Sequence, residues 1–302
     1  MLEIQNLVKV YPGGVAALQG ISLRIPRGMF GLLGPNGSGK STLMRILAGL
    51  LEPSAGRVLF DGTDIVAQPE RIWPQLGHLP QSFGFYPNST GEAMLRHMLQ
   101  LKGVAAPRGL AALTAELLER VNLTAAARRK VRTYSGGMRQ RLGIAQAIAG
   151  DPALIIVDEP TAGLDPEERV RFYRLLAELA ETRTILLSTH IVEDVAMLCP
   201  RFAVIRQGRL LATTTPGEAR ELLVGTMYEG EVERTALAEL AASHCVTQAH
   251  LVEGRNRVRL HLPTGAPPAG FTPVPPTLED AYLVLIRRAG EGDEPALLRA
   301  AS

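Results

Sequence analysis

Residues Gly34, Pro35, Asn36, Gly37, Ser38, Gly39, Lys40, Ser41 and Thr42 match the phosphate-binding pattern G-x-x-x-x-G-K-[ST] at every fixed position. Glycines there let backbone N–H groups close around phosphate oxygens, where side chains would hold them off, and several predict φ above zero. Lys40 is placed to reach the β- and γ-phosphates of a nucleoside triphosphate, and the Ser41 hydroxyl to coordinate magnesium. Such a loop needs a strand before it and a helix after it. Met29, Phe30, Leu32 and Leu33 form a short apolar run suited to a buried strand, while Leu43, Ile46, Leu47 and Leu50 follow the i, i+3, i+4, i+7 spacing of a helix. The N-terminus of that helix favours negative charge through its free N–H groups and dipole.

A second cluster follows the apolar run Ala153-Leu154-Ile155-Ile156-Val157, which reads as a strand buried on both faces and ends in Asp158-Glu159. Ligands of open α/β sheets gather at the C-terminal edge of the strands, where paired negative charge is unfavourable unless metal, water or substrate compensates it. Asp158 suits the magnesium shell, through water, and Glu159 suits orienting and deprotonating an attacking water. A solvated acidic turn is the plainer alternative. A further buried strand at Ile185, Leu186 and Leu187 leads through Ser188-Thr189 to His190 at the same kind of edge. That position favours function, although a lone histidine at a strand end also serves as a structural hydrogen-bonder.

In Thr133-Tyr134-Ser135-Gly136-Gly137-Met138-Arg139-Gln140-Arg141, a hydroxyl and two glycines precede the helical pattern Leu142, Ala145, Ala149. Ser135 is a plausible N-cap, and this tip is another phosphate-seeking surface in a chain that already has its cradle. Here the sequence resembles the ATP-binding cassette (ABC) family, whose signature motif completes the nucleotide site of the opposite subunit. The resemblance implies ATP with Mg2+ and a dimer in which two ATPs are sandwiched between this chain and a second nucleotide-binding domain, identical or paralogous. Tyr134 and Met138 replace the outer residues of the commonest Leu-Ser-Gly-Gly-Gln form; Ser135 and Gly137 are retained.

The same resemblance assigns further residues. Pro160 to Glu168 is similar to the D-loop running into a helix. On local chemistry Asp165 is an N-cap, Pro166 fits the first helical position and Glu168 stands at the capping-box position, so capping and a cross-dimer role are both open for Asp165. His190 resembles the switch histidine that contacts the γ-phosphate and helps hold Glu159 and the water. Gln81 resembles the Q-loop glutamine that completes magnesium coordination and senses the γ-phosphate. Tyr11, after the alternating Leu2, Ile4, Val8 and Val10, resembles the aromatic that stacks on adenine; packing on its own sheet is the alternative. Phe83, Phe85, Tyr86 and Pro87 cluster apolar surface after Gln81, either as core or as a docking groove.

Charge is nearly balanced, 32 Lys and Arg against 30 Asp and Glu, which leaves no strong polyanion footprint, and no nucleic-acid partner is expected. Cys199 and Cys245 lack metal-site or disulfide-framework spacing and fit a reducing compartment. With no apolar stretch long enough to span a bilayer and no leader pattern, the expected location is the cytoplasmic face of the cell membrane, reached through a membrane subunit.

The fold expected is α/β: a P-loop NTPase core with an N-terminal antiparallel β portion and a helical subdomain, plus a small C-terminal α+β appendage. The nucleotide-binding domain spans residues 1–224, with the helical insert at about 90–150, and the appendage and tail span 225–302. In the insert, Leu113, Leu117, Leu118 and Val121 have helical spacing, and Gln207-Gly208 sits between apolar segments like a hairpin turn. In the appendage, Val258, Leu260 and Leu262 alternate with Arg257, Arg259 and His261. Thr277 and Asp280 make a capping box ahead of Leu278, Ala281, Tyr282 and Leu285 on one helical face. This ending resembles the tail of ATP-binding subunits of ABC-2-type exporters, whose permease is a separately encoded integral membrane protein. The function expected is therefore ATP hydrolysis coupled to transmembrane transport through ATP-dependent dimerisation. A soluble switch ATPase of the same fold, acting on ribosomes or nucleic acid, is the alternative; such chains commonly carry two cassettes or a long coiled-coil insertion, and neither occurs here.

Overall fold

Alternating burial along the first strands gives an antiparallel sheet with one covered face. In the computed structural model, which describes residues 1–290 except Phe83, Ala162 and Gly163, β1 (Leu2–Val10) pairs with β2 (Ala16–Ile25). β3 (Gly28–Leu33) then enters a different sheet and delivers the phosphate loop to α1 (Lys40–Leu47). β4 (Ala55–Phe60) returns to β1, and the two-residue β5 (Thr63–Asp64) completes the sheet order β2-β1-β4-β5. Leu50 does not extend α1 as its spacing suggested. The helix ends at Leu47, Gly49 takes φ 68, and Leu50 is exposed.

β6 (Leu76–Leu79) leads to the helical segment: α2 (Gly91–Lys102), α3 (Leu110–Arg120) and α4 (Gly136–Ile148). Leu117, Leu118 and Val121 are buried, as the helical spacing requires. Tyr134, one of the departures from the commonest signature form, is buried and donates its hydroxyl to Ala126 O at 2.8 Å. Gly91 faces it so closely that a Cβ there would lie 1.9 Å from the Tyr134 oxygen, so the larger signature residue is accommodated by a smaller one on α2. At the end of α2, Lys102 donates to Ala149 O at 2.8 Å and so satisfies a carbonyl at the end of α4. Its ammonium is lowered by burial to about 8.

β7 (Leu154–Asp158), α5 (Pro166–Ala180) and β8 (Thr184–Thr189) follow. Every residue of β7 and β8 is buried, the signature of parallel strands covered on both faces. Strands β3, β8, β7 and β6 lie side by side in that order, all parallel, with Leu33 opposite Thr189 and Asp158 opposite Ser188. That register brings four strand ends to one edge, and each candidate catalytic segment begins there.

The remaining elements are α6 (Val192–Leu198), the hairpin strands β9 (Arg201–Arg206) and β10 (Arg209–Thr214), α7 (Pro216–Glu221), β11 (Met227–Val232), α8 (Leu237–Ser243), β12 (Cys245–Val252), β13 (Arg255–His261), β14 (Thr272–Pro273) and α9 (Leu278–Gly290). Gln207 (φ 49) and Gly208 (φ 74) make the hairpin turn. Two compact units result: Met1–His190 with Ile205–Leu210, and Ile191–Val204 with Leu211–Ser302. The hairpin tip thus belongs to the first unit. In the second, sheet β12-β13-β11-β14 packs Val258, Leu260 and Phe271 into its own small core. α9 lies on β12, α6 and α7 with Leu278, Ala281, Tyr282 and Leu285 buried, and its capping box forms: Asp280 N donates to Thr277 Oγ1 at 3.1 Å and Thr277 N to Asp280 Oδ2 at 2.8 Å.

Candidate active site

Left-handed backbone at Gly37 (φ 77) and Gly39 (φ 105) bends the loop between β3 and α1 into a cradle. Gly39 has no alternative: a Cβ there would stand 2.5 Å from Ala17 O. Lys40 is buried at the base, donating to Gly34 O at 2.8 Å and Pro35 O at 3.1 Å. The loop opens onto a cavity of about 550 Å³ walled by Asn36, Gly37, Lys40, Ser41, Thr42, Gln81 and Glu159. The buried hydroxyl of Ser38 has no hydrogen-bond partner among the described residues, an orphan that a bound anion's shell would satisfy.

Glu159 is the meeting point. It follows the last residue of β7 with φ 46, an uncommon left-handed conformation for glutamate that turns it off the strand. Its N–H donates to Ser188 O at 3.0 Å, fixing that turn to β8. Its carboxylate, 8 % exposed, receives Gln81 Nε2 at 3.0 Å and stands 3.4 Å from Lys40 Nζ and 3.3 Å from His190 Nδ1. Gln81, Lys40, Glu159 and His190, far apart in sequence, are therefore assembled around one carboxylate. Asp158 is buried beside them with its carboxylate accepting from the Ser188 hydroxyl. Burial lowers the pKa of the His78 imidazole on β6, against the pull of Asp158 and with the push of Arg45.

The donor set suits magnesium with nucleotide phosphates. A hydroxyl (Ser41), a carboxylate (Asp158) and an amide (Gln81) are hard oxygen donors, and Mg2+ takes one or two carboxylates and keeps waters and phosphate oxygens for its other positions. Among the described residues no cluster of three or more His, Cys, Asp or Glu is placed to hold a metal ion.

Other expected residues lie elsewhere. Tyr11 does not line the cavity: its hydroxyl is 3.3 Å from Thr42 Oγ1 and Lys9 Nζ sits 5.5 Å from its ring centre, while Val15, Ala16 and Ala17 form the wall. Ser135 caps α4, accepting from Met138 N at 3.1 Å, and Asp165 caps α5, accepting from Glu168 N at 2.9 Å. Both are exposed, and neither they nor Gly136 and Gly137 line the cavity. Glu168 does not complete the capping box that its position suggested. Its carboxylate turns to Arg141 on α4, with Nε and Oε2 3.1 Å apart, because an arginine in reach outcompetes a neutral N–H. Gly137 packs on the same carboxylate, where a Cβ would lie 3.1 Å from Glu168 Cγ. Tyr86 and Pro87 are exposed rather than core, with the Tyr86 ring tilted against His97 at 5.8 Å. Phe83, with Ala162 and Gly163 of the D-loop-like stretch, lies outside the described residues.

Sequence reasoning missed Gln207, Gly208 and Ser188. Gly208 N donates to Ser38 O at 2.8 Å and Gln19 Nε2 to Gln207 O at 2.8 Å, so the hairpin tip buttresses the phosphate loop. No local pattern signals a pairing across nearly two hundred residues; Gln207-Gly208 was visible only as a turn.

The family model for ABC transporters matches residues 18–162. The daunorubicin/doxorubicin resistance ATP-binding protein of Streptomyces peucetius is 36% identical over 80% of this chain and 76% of its own length. The chain belongs to the ABC transporter family. Another relative, the Nod factor export ATP-binding protein I of Rhizobium meliloti (strain 1021), is 34% identical over 95% of this chain and 88% of its own, so its likeness continues through the second unit. Among solved structures, a bacterial ABC transporter cassette in dimeric form superposes with TM-score 0.65 at 27% identity, covering 71% of this chain and 98% of that one. The same cassette in a post-hydrolysis state bound to ADP and Pi matches equally well, with TM-score 0.65. This ABC protein is accordingly an ATP-binding subunit and an ATPase. No helix among the described residues is long and apolar enough to cross a membrane.

Proposed function

We propose that this ABC ATPase powers an exporter from the cytoplasmic face of the cell membrane, joined to a separately encoded permease and to a second nucleotide-binding domain. The nucleotide-binding domain runs over 1–224, and 225–302 is an accessory domain and tail. The phosphate loop from Gly34 to Thr42 holds the ATP phosphates, with Lys40 turning from its loop carbonyls to the β- and γ-phosphates. Ser41, Asp158 and Gln81 would hold Mg2+, which supplies charge neutralisation at the phosphates. Glu159 takes the proton of the attacking water, while His190 and Gln81 fix its carboxylate and contact the γ-phosphate side. Tyr11, outside the cavity but with its hydroxyl 3.3 Å from Thr42 Oγ1 at the end of the loop, stacks on an adenine that extends beyond the cavity.

The observation that carries this reading is the convergence of Lys40, Gln81 and His190 on the carboxylate of Glu159 at the mouth of a glycine-built cradle. Ser135, Gly136 and Asp165, exposed, and the buried Gly137 beside them, all away from that cavity, complete the site of the partner domain. Relatives named for drug resistance and Nod factor export support the exporter type. Mixed dimers of Ser135→Arg and Lys40→Ala chains test the shared site. Each parent is expected to be inactive, and the mixture should recover turnover through its one intact composite site. Absence of recovery in mixed dimers verified by dual affinity tags would contradict sharing.

A further inference from the structure

The second unit contains a cavity of about 360 Å³ that shares no lining residue with the cavity at the phosphate loop. Three chain segments meet around it: the junction of α8 and β12 with His244 and Cys245, the end of β13 with His261, and the last turns of α9 with Arg287 and Arg288. None of its lining residues is acidic.

The fold explains the convergence. Cys245 and His261 are direct cross-strand partners in β12 and β13, so their side chains share a face. On α9, Ala281, Val284 and Leu285 form the buried stripe against the sheet, and Arg288 continues it at the i+3 and i+4 spacing. Burial first, then Arg288, lower the pKa of His261, with Asp280 opposing. Asp280 is already committed, receiving Arg259 Nη2 at 2.8 Å, Thr247 Oγ1 at 2.6 Å and Thr277 Oγ1 at 2.8 Å. The charged groups acting on His261 are thus Arg288 and Asp280 from α9, and its strand partners are Cys245 of β12 and Met227 of β11. Arginines in the last turn of a helix complement its dipole. The dipole does not explain why they open, with two imidazoles, onto one cavity.

We propose that this cavity binds a small phosphorylated anion, held by the guanidinium groups of Arg287 and Arg288 over His261 and His244. Planar guanidinium forks match phosphate geometry. The volume lies in the lower part of the range of about 300–1,000 Å³ usual for small-ligand sites. The His244 ring nitrogen Nδ1 is bonded to Ser243 Oγ at 2.8 Å, which leaves its other ring nitrogen for the ligand. A dianion here favours the charged form of His261, so binding of the dianion raises the pKa of that imidazole and takes up a proton there.

Inorganic phosphate is the probe, added to the full chain whose phosphate loop is saturated with a non-hydrolysable ATP analogue and magnesium. Histidine-ring nitrogen NMR, with His261→Gln identifying the signal, follows the titration of His261. Phosphate is expected to raise its pKa by about one unit, whereas chloride at equal ionic strength and acetate leave it in place. Arg288→Gln should weaken phosphate binding at least about tenfold and remove the shift, and Arg288→Lys should keep part of both. The absence of a phosphate-induced shift, the same shift with chloride or acetate, or a shift unchanged in Arg288→Gln would each overturn the proposal.

Discussion

In the proposed reaction Glu159 is the residue on which the chemistry turns, because its carboxylate faces an ammonium, an amide N–H and an imidazole while its backbone is held left-handed by β8. Glu159→Gln keeps the shape and an acceptor oxygen but removes the proton acceptor. Turnover should fall by about 10²–10⁴ with ATP still bound, read as phosphate release against filter-retained nucleotide; unchanged turnover removes Glu159 as the base. Lys40→Ala takes away the buried cation and should weaken ATP binding at least about tenfold, read by calorimetry. Lys40 and Glu159 are legible in sequence because phosphate chemistry fixes residue type and spacing within single segments, as in Gly34 to Thr42 or Asp158-Glu159, whereas Gln81 and His190 are picked out mainly by the family resemblance. Ser188, whose hydroxyl holds Asp158, passes unnoticed because a serine inside a buried strand carries no pattern of its own.

Elements were readable where periodicity was strong and less so where a neighbour rewrote it. The buried runs in β3, β7 and β8 and the apolar stripe of α9 follow directly from their residues. Glu168 departs from its local expectation because Arg141, contributed by α4, claims its carboxylate. With both side chains 16 % exposed, Glu168→Ala should destabilise the fold by about 1–3 kcal/mol in urea unfolding, and Glu168→Asp should restore part of it. Arg259 and His261 likewise alternate with apolar residues, yet Arg259 is covered because α9 brings Asp280 onto it, with Nη2 and Oδ2 2.8 Å apart. Burial raises the pKa of the Asp280 carboxyl, but hydrogen bonds from Arg259, Thr247 and Thr277 outweigh it and hold it below the usual range. A carboxylate depressed in this way stabilises fully above its unfolded pKa near ~3.9 and loses that contribution as pH falls through the folded value. The second unit should therefore lose stability below about pH 4. Asp280→Ala, which strands Arg259, should cost about 3–5 kcal/mol at neutral pH, measured by urea unfolding followed by tryptophan-independent circular dichroism.

At the scale of the molecule, the cassette is recognisable from its motifs, and similarity to other ABC ATPases covers the first unit densely and reaches into the second. What the motifs do not reveal is that Ile205–Leu210 rejoins the first unit to brace the phosphate loop, since that pairing depends on three-dimensional return of the chain. Nor does one chain use its own Ser135 and Asp165 at its cavity, which is why the account requires a second copy or paralogue. Sedimentation of the Glu159→Gln chain with and without ATP and magnesium tests that requirement most directly. The account predicts a monomer that becomes a dimer when ATP is added and stays monomeric when Ser135→Arg is also present. A chain that remains monomeric at saturating ATP, or dimerises equally well with Ser135→Arg, would contradict it.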